Sequence, residues 1–303
     1  MKSLKQLFPI SKARKSSIIL TLLVLLIGAA LVLTVCGKKE KALTEINFYD
    51  NLESARKVAA EQDHPLIIEF YKEDCPNSKM MDDSTFSNKI VIGMAEKMVF
   101  AKINADADSA LAKDYRVSFY PTFIVAESSG KEIDRMVGYY PPADFFNEVQ
   151  LLLQGNETLE DYQLRVSDDP GRVDYYLIIA EKYKYRSDWS KALEYYSDVT
   201  NLAGDDYQYE MEMARFGIAD VYCEMGDYSK AAKAYEEFLN QFPTSEKAED
   251  ADRKLPYCLA KTGEYQKAKL LFDEYLVDYP HGLYRQWVQQ KIDNISPLIK
   301  DGN

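Results

Sequence analysis

The sequence predicts an N-terminal apolar helix, an α/β sandwich and an all-α repeat solenoid, in that order. Three observations support this prediction. An uncharged apolar run extends from Ser16 to Cys36, strand-like and helical periods alternate in the middle of the chain, and similar segments recur in its last part. The predicted boundaries are 1–45 for the apolar helix, 46–156 for the sandwich and 157–303 for the solenoid.

The apolar run is long enough to cross a membrane. At about 1.5 Å per residue, roughly 19 helical residues span a hydrocarbon core of about 30 Å. The run is longer than the apolar part of a cleaved signal peptide, which favours a retained membrane anchor through residues 16–36. More positive charge precedes the run than directly follows it, so we expect the residues after 40 to lie on the periplasmic or cell-envelope side.

The end of the run offers an alternative to a spanning helix. "LTVCG" resembles the lipobox of bacterial lipoproteins, in which the cysteine is lipidated and becomes the first residue. The resemblance implies lipidation of Cys36, although Val35 stands where that family has a small residue. Either anchor leaves the rest of the chain outside the cytoplasm.

Composition narrows the possible functions. The formal net charge is −12, but the 29 basic and 48 acidic residues after position 41 give a net charge of −19. Such an acidic body repels phosphate backbones, which argues against nucleic acid and favours protein partners. His64 and His281 are the only histidines and stand in no recognised metal-ligand spacing, so we predict neither a metal nor a cofactor.

The periods of the middle part alternate in the order of an α/β sandwich. The predicted elements are a helix in "NLESARKVAAEQDH", a strand in "PLIIEFY", a helix after Cys75, a strand in "MVFAKINAD", two strands in "TFIVAE" and "EIDRMVGY", and a helix in "PPADFFNEVQLLLQ".

The segment "LIIEFYKEDCPNSKM" resembles the thioredoxin signature, an apolar strand followed by C-x-x-C-K-x-M. The resemblance implies that Glu69 is the buried acid, Cys75 the nucleophile and Lys79 the lysine after the motif. Ser78 stands at the position of the second cysteine. Because Ser78 cannot form a disulfide with Cys75, dithiol reductase activity is not expected.

Later residues extend the resemblance to about a third of the chain. "YPTF" is similar to the cis-proline loop, with Pro121 as its proline, and Gly130 and Gly138 match the glycines of the terminal hairpin. The implied candidate site consists of Cys75, Ser78, Pro121 and Glu69. A helix start favours a thiolate at Cys75, whereas the neighbouring acids Glu73 and Asp74 oppose it, so a reactive thiol and a site that only packs both stay open.

The last part contains repeats. "DWSKALEYY", "DYSKAAKAY" and "EYQKAKLLF" align without gaps at intervals of 39 and 37 residues. They resemble tetratricopeptide repeats, with Ala192, Ala231 and Ala268 as the small residue at each helix crossing. Pro256 falls at a small-residue position of the third repeat, where we expect a kink.

The tetratricopeptide resemblance implies a concave protein-binding face. The candidate protein-binding residues on it are Phe216, Asp220, Cys223, Arg253 and Tyr257. A spacer or oligomerisation module is the alternative, since the fold alone fixes no function. Cys223 and Cys258 are expected to be small buried residues.

The combined prediction is a membrane-anchored extracytoplasmic scaffold that unites a thioredoxin-like sandwich with a tetratricopeptide solenoid. It would bind a protein or peptide client through the repeat groove. The alternative from another class is a monothiol thiol-disulfide oxidoreductase, in which Cys75 captures a client that the repeats select. A third possibility is a structural component of a larger assembly.

Overall fold

The computed structural model describes residues 43–299, of which residues 44–299 belong to one compact unit. The predicted anchor through 16–36, with the candidate lipidation site Cys36, lies outside the described residues. Between residues 43 and 299, none of the helices combines the length and the apolar character that a bilayer crossing needs.

The first part of the unit is an α/β sandwich built on a mixed sheet. Its strands are β1 (Phe48–Tyr49), β2 (Leu66–Tyr71), β3 (Val99–Asn104), β4 (Thr122–Ala126) and β5 (Glu132–Val137). Its helices are α1 (Leu52–Gln62), α2 (Pro76–Met80) with a π-helical turn (Met81–Thr85), α3 (Lys89–Met94), α4 (Ser109–Asp114) and α5 (Pro142–Leu153). The strand order is β1-β3-β2-β4-β5; β1, β3 and β2 are parallel, and β4 is antiparallel to both β2 and β5.

The central strand β2 is buried on both faces. Ile67 belongs to the same apolar cluster as Phe145 of α5, whereas Ile68 belongs to a second cluster with Ala55 of α1. Successive strand residues point to opposite faces, and a strand covered on both sides is apolar throughout. Glu69 is therefore the one charged residue within a strand that is otherwise apolar or aromatic.

The second part of the unit consists of packed helices. They are α6 (Leu159–Asp168), α7 (Val173–Lys184), α8 (Trp189–Leu202), α9 (Gln208–Glu224), α10 (Tyr228–Gln241), α11 (Ala248–Lys261), α12 (Tyr265–Asp278) and α13 (Arg285–Ile295), with short 3-10 turns at Asp205–Tyr207 and Ser296–Leu298. α7 with α8, α9 with α10 and α11 with α12 form consecutive helix pairs, as the repeats predict.

The turn inside each helix pair recurs in the structure. Ser187, Gly226 and Gly263 have φ values of 52°, 77° and 89°, and they are spaced by the same 39 and 37 residues as the sequence repeats. Asp188 and Asp227 then cap the next helix by accepting a backbone N–H. A left-handed residue therefore follows the first helix of each pair, and a capping aspartate starts the second helix in the first two pairs; Glu264 of the third pair makes no such side-chain hydrogen bond.

The predicted crossing residues are fully buried. They are Ala192, Ala231 and Ala268, with Tyr196, Tyr235 and Phe272 one turn later. α11 continues without interruption through Pro256 to Lys261. β1, α3 and α4 were not predicted from the sequence, because a strand of two residues and helices of six residues are too short to show their periods.

Gly217 of α9 lies where a side chain has no room. A Cβ added there would meet the ring of the fully buried Tyr196 at 2.3 Å. We expect Gly217→Ala to lower the free energy of unfolding by about 1–3 kcal/mol, because overpacking outweighs a gain in helix propensity of about 1 kcal/mol. A Cβ added at Gly93 in α3 would meet no atom within 4 Å. Gly93→Ala should therefore raise the free energy of unfolding by up to about 1 kcal/mol. Urea unfolding measures the free energies of both variants. Changes of the same sign would contradict the close approach of Gly217 to the Tyr196 ring.

Candidate functional site

Cys75 lies where the chain leaves β2 and enters α2. Its side chain is half-buried, and its thiol donates a hydrogen bond to the carbonyl oxygen of Tyr120 at 3.3 Å. The Tyr120–Pro121 peptide bond is cis. The structure thus places two of the predicted site residues, Cys75 and Pro121, beside each other although they are far apart in the sequence.

Ser78 lies in the first turn of α2, on the side of the protein interior. It is 2% exposed, and its hydroxyl has no hydrogen-bond partner within residues 43–299. In the predicted alignment with the thioredoxin signature, this buried hydroxyl stands at the position of the second thiol.

Glu69 is a buried acid in the middle of β2. It is 1% exposed, and in the described part of the chain neither of its oxygens accepts a hydrogen bond. Burial raises the pKa of Glu69 to about 7, although Lys102 opposes the shift. The Lys102 ammonium is 3.2 Å from Oε2 but not in hydrogen-bonding geometry, so it offsets the burial only in part. Glu69 therefore changes its charge near neutral pH.

Buried charges join the sandwich to the helices. Asp134 of β5 is fully buried and accepts hydrogen bonds from the Leu159 amide at 2.7 Å, from Lys182 at 3.0 Å and from Arg186. Burial alone would raise the pKa of Asp134, but the charges of Arg186 and Lys182 outweigh it and hold the pKa below its ordinary value. The neighbouring Arg135 donates to one backbone carbonyl of each part, at 3.1 Å.

A cavity of about 680 Å³ lies between the two parts, and we call it the interdomain groove. The sandwich contributes Asn77, Phe119, Tyr120 and Tyr140, and the helices contribute Leu177, Glu181, Lys184, Tyr209, Phe216, Asp220 and Lys254. The walls of the groove thus combine apolar and aromatic side chains with many charged ones.

The charged side chains at the floor of the groove form ion pairs and hydrogen bonds with one another. Asp220 is buried and accepts hydrogen bonds from Lys254 and Tyr235, both at 2.5 Å. Burial opposes the charge of Asp220, but Lys254 and Lys184 outweigh it and hold its pKa below the ordinary value. Burial likewise opposes the charge on Lys184, but Glu181, at 2.7 Å, and Asp220 outweigh it and keep the pKa of Lys184 raised.

Two of the five predicted protein-binding residues line the interdomain groove. Phe216 and Asp220 line the interdomain groove, whereas Cys223, Arg253 and Tyr257 are not part of its lining.

Arg253 and Tyr257 face other neighbours. Arg253 pairs with Asp250 at 2.6 Å and lies over the ring of Tyr284 at 3.9 Å. Tyr257 lines a smaller cavity of about 350 Å³ together with Lys291.

Cys223 and Cys258 contact each other across two helices. Their sulfur atoms are 3.6 Å apart; Cys258 is fully buried, as predicted, and Cys223 is half-buried. No sequence motif marks this pair, because its members belong to different repeats.

Some residues that line the groove or join the two parts of the unit were not predicted from the sequence. Phe119 lines the groove and packs edge-on against Tyr185 of the helical part at 5.7 Å. Asp134 and Arg135 carried a signal that could have found them, since two adjacent charges interrupt the apolar pattern of a predicted strand.

Comparisons with known proteins assign two segments of the chain. Residues 52–152 match the family model of the thioredoxin-like domain, and residues 209–289 match that of an outer membrane lipoprotein family. The chain therefore contains a thioredoxin-like domain followed by helical repeats that are similar to an outer membrane lipoprotein. No curated protein matches the chain.

Several solved thioredoxins resemble the first part. The thioredoxin from Thermus thermophilus is 26% identical, over 37% of this chain and 90% of that chain, with a TM-score of 0.33. Mitochondrial thioredoxin 3 from Saccharomyces cerevisiae is 26% identical, over 35% and 93% of the two chains, with a TM-score of 0.29. The thioredoxin from Trypanosoma brucei brucei is 20% identical, over 39% and 98%, with a TM-score of 0.31.

Proposed function

We propose that this protein is an anchored extracytoplasmic scaffold that binds an extended segment of another protein in the interdomain groove. The observation that carries the proposal is the groove itself, because the loop before Pro121 and the repeat helices line one cavity. A binding site shared by two modules selects a client by contacts from both sides.

The helical part supports a role in protein binding. Its helix pairs, buried alanines and capped turns are those expected of tetratricopeptide repeats, and such repeats stack so that their first helices share one face. Leu177 of α7 and Phe216 of α9 both line the groove. A client segment would therefore lie across successive repeats with its other side against Tyr120.

The anchored location rests on the N-terminal segment and on the lipoprotein similarity. Residues 16–36 have the length of a membrane anchor, and Cys36 ends a lipobox-like sequence. The similarity of 209–289 to an outer membrane lipoprotein family favours the envelope side. We propose the boundaries 46–156 and 157–303 for the two extracytoplasmic domains.

Ser78 favours binding over turnover. A thiolate at Cys75 that formed a mixed disulfide with a client would need a second thiol to release it. The nearest candidate position holds the buried hydroxyl of Ser78. Thiol exchange at Cys75 would therefore stop at the mixed disulfide with the client.

One observation favours a thiol function as the second candidate. Cys75 is half-exposed to solvent at the Tyr120 loop, and the pKa of Glu69 in the same domain is raised by burial to about 7. An acid that exchanges protons near neutral pH suits a proton relay during thiol exchange. In this second function Cys75 would capture clients that the groove selects.

A displayed peptide library first tests groove binding on the purified chain with its thiols blocked by N-ethylmaleimide. Tyr209 lines the groove and is 56% exposed, so Tyr209→Ala should weaken the enriched peptides about tenfold, as loss of an aromatic anchor does. The matched control is Val277→Ala on α12, which removes a 76% exposed side chain outside the groove lining. Equal affinities of the two variants would refute groove binding.

The same selection separates scaffold from thiol enzyme. The scaffold predicts that Cys75→Ser leaves the affinity unchanged. The thiol function predicts that capture needs an unblocked Cys75, is reversed by reductant and declines in Ser78→Cys, where a second thiol can release the client.

A further inference from the structure

Cys223 of α9 and Cys258 of α11 have the geometry of a thiol pair. The Cys258 thiol donates a hydrogen bond to the Cys223 sulfur at 3.6 Å. A disulfide requires about 2.05 Å between the sulfur atoms, so a movement of about 1.5 Å would close the bond. The bond therefore requires the two side chains to rotate toward each other.

Neighbouring contacts hold the two helices in this register. Lys254 of α11 lies 2.5 Å from the carboxylate of Asp220 on α9 and 5.1 Å from the ring centroid of Phe216. Asp220 and Lys254 precede Cys223 and Cys258 by about one helical turn. The thiols therefore face each other because a charged contact beside them ties the helices together.

The two sulfur atoms differ in reactivity. The hydrogen bond from Cys258 and the charge of Lys254 lower the pKa of Cys223, against the effect of burial. Donation of that hydrogen bond and burial raise the pKa of Cys258. Cys223 is half-buried and Cys258 is fully buried, so an external reagent reaches Cys223 first and Cys258 lies behind it.

We propose that Cys223 and Cys258 form a second thiol site, which takes a low-molecular-weight disulfide as its substrate and becomes an intrachain disulfide between α9 and α11. The Cys223 thiolate attacks one sulfur of the reagent, forms a mixed disulfide and expels one thiolate. Cys258 gives its proton to that thiolate and attacks the Cys223 sulfur, which expels the second thiolate. Two protein thiols are oxidised, and one disulfide is reduced to two thiols.

This site is independent of Cys75 and goes beyond client binding. The new bond would join α9 to α11 in the oxidised protein. It would thereby fix the relative positions of Asp220 and Lys254 at the floor of the interdomain groove. The extracytoplasmic side, where the charge pattern places this part of the chain, is a compartment in which disulfides persist.

The test uses the full chain with Cys36→Ala and Cys75→Ser, which leaves Cys223 and Cys258 as its thiols. After incubation with glutathione disulfide, alkylation of the unfolded protein and mass spectrometry count the remaining thiols. We expect loss of both thiols, no retained glutathione, and a peptide that joins Cys223 to Cys258. Dithiothreitol should restore both thiols.

A matched variant identifies the roles of the two cysteines. With Cys258→Ser added, Cys223 should keep one glutathione, because no second thiol expels it. The proposal is overturned if the parent keeps two free thiols, retains glutathione on Cys223, or forms only disulfides between chains. Circular dichroism of parent and variant before oxidation confirms that both are folded.

Discussion

Replacing Asp134 by alanine should lower the free energy of unfolding by about 3–5 kcal/mol, because the largely buried Lys182 loses its carboxylate partner and the largely buried Arg186 keeps only Glu132, at 3.4 Å. The variant also removes the acceptor of the Leu159 amide at the start of α6. Asp134→Asn should recover part of the loss, since its amide oxygen can still accept that hydrogen bond. Urea unfolding of the purified protein measures the three free energies.

A surface ion pair provides the control for this prediction. Asp273 pairs with Lys269 at 2.7 Å on α12, with side chains 48% and 37% exposed. Such pairs contribute about 0.3–0.5 kcal/mol, so Asp273→Ala should have a correspondingly small effect. If the Asp134 and Asp273 variants lost similar stability, the buried network would not hold the sandwich to the helices.

Glu69 should make the stability of the protein fall as pH rises toward neutral. Its folded pKa of about 7 lies above the ordinary value of 4.5, so between these values the folded protein holds a proton that the unfolded chain has released. The contribution is fully present below 4.5 and is lost as pH rises through 7. At 1.36 kcal/mol for each pKa unit, it amounts to about 3 kcal/mol.

Glu69→Gln lacks this titration. The unfolding free energy of Glu69→Gln minus that of the wild type should therefore increase by about 3 kcal/mol from pH 4 to pH 8. Glu61→Gln, which changes a 63% exposed side chain, should follow the wild type throughout. Urea unfolding at several pH values gives the three curves. Parallel curves for Glu69→Gln and wild type would show that folding does not raise the pKa of Glu69.

The thioredoxin-like part was predictable because its signals are local. A strand, a turn with Cys75 and a helix that contains Ser78 follow one another within the signature, so the motif places these side chains before any long-range contact is known. The repeats were predictable for a related reason, since small and aromatic residues recur at the spacing that buries one helix face. The roles of Cys75, Glu69, Ser78 and Pro121 stay predictions.

The sequence by itself determined the order of the parts, the acidic charge of the body, the absence of a second thiol at Ser78 and the small and aromatic residues that the repeat helices bury. Only the tertiary structure decided that Asp134 meets Lys182 and Arg186, that the Tyr120 loop and α9 share a groove, and that Cys223 meets Cys258. Periodicity states which face of an element is buried, but the packing of whole elements decides which faces meet. Contacts between residues of different elements therefore carry no signal in a single sequence.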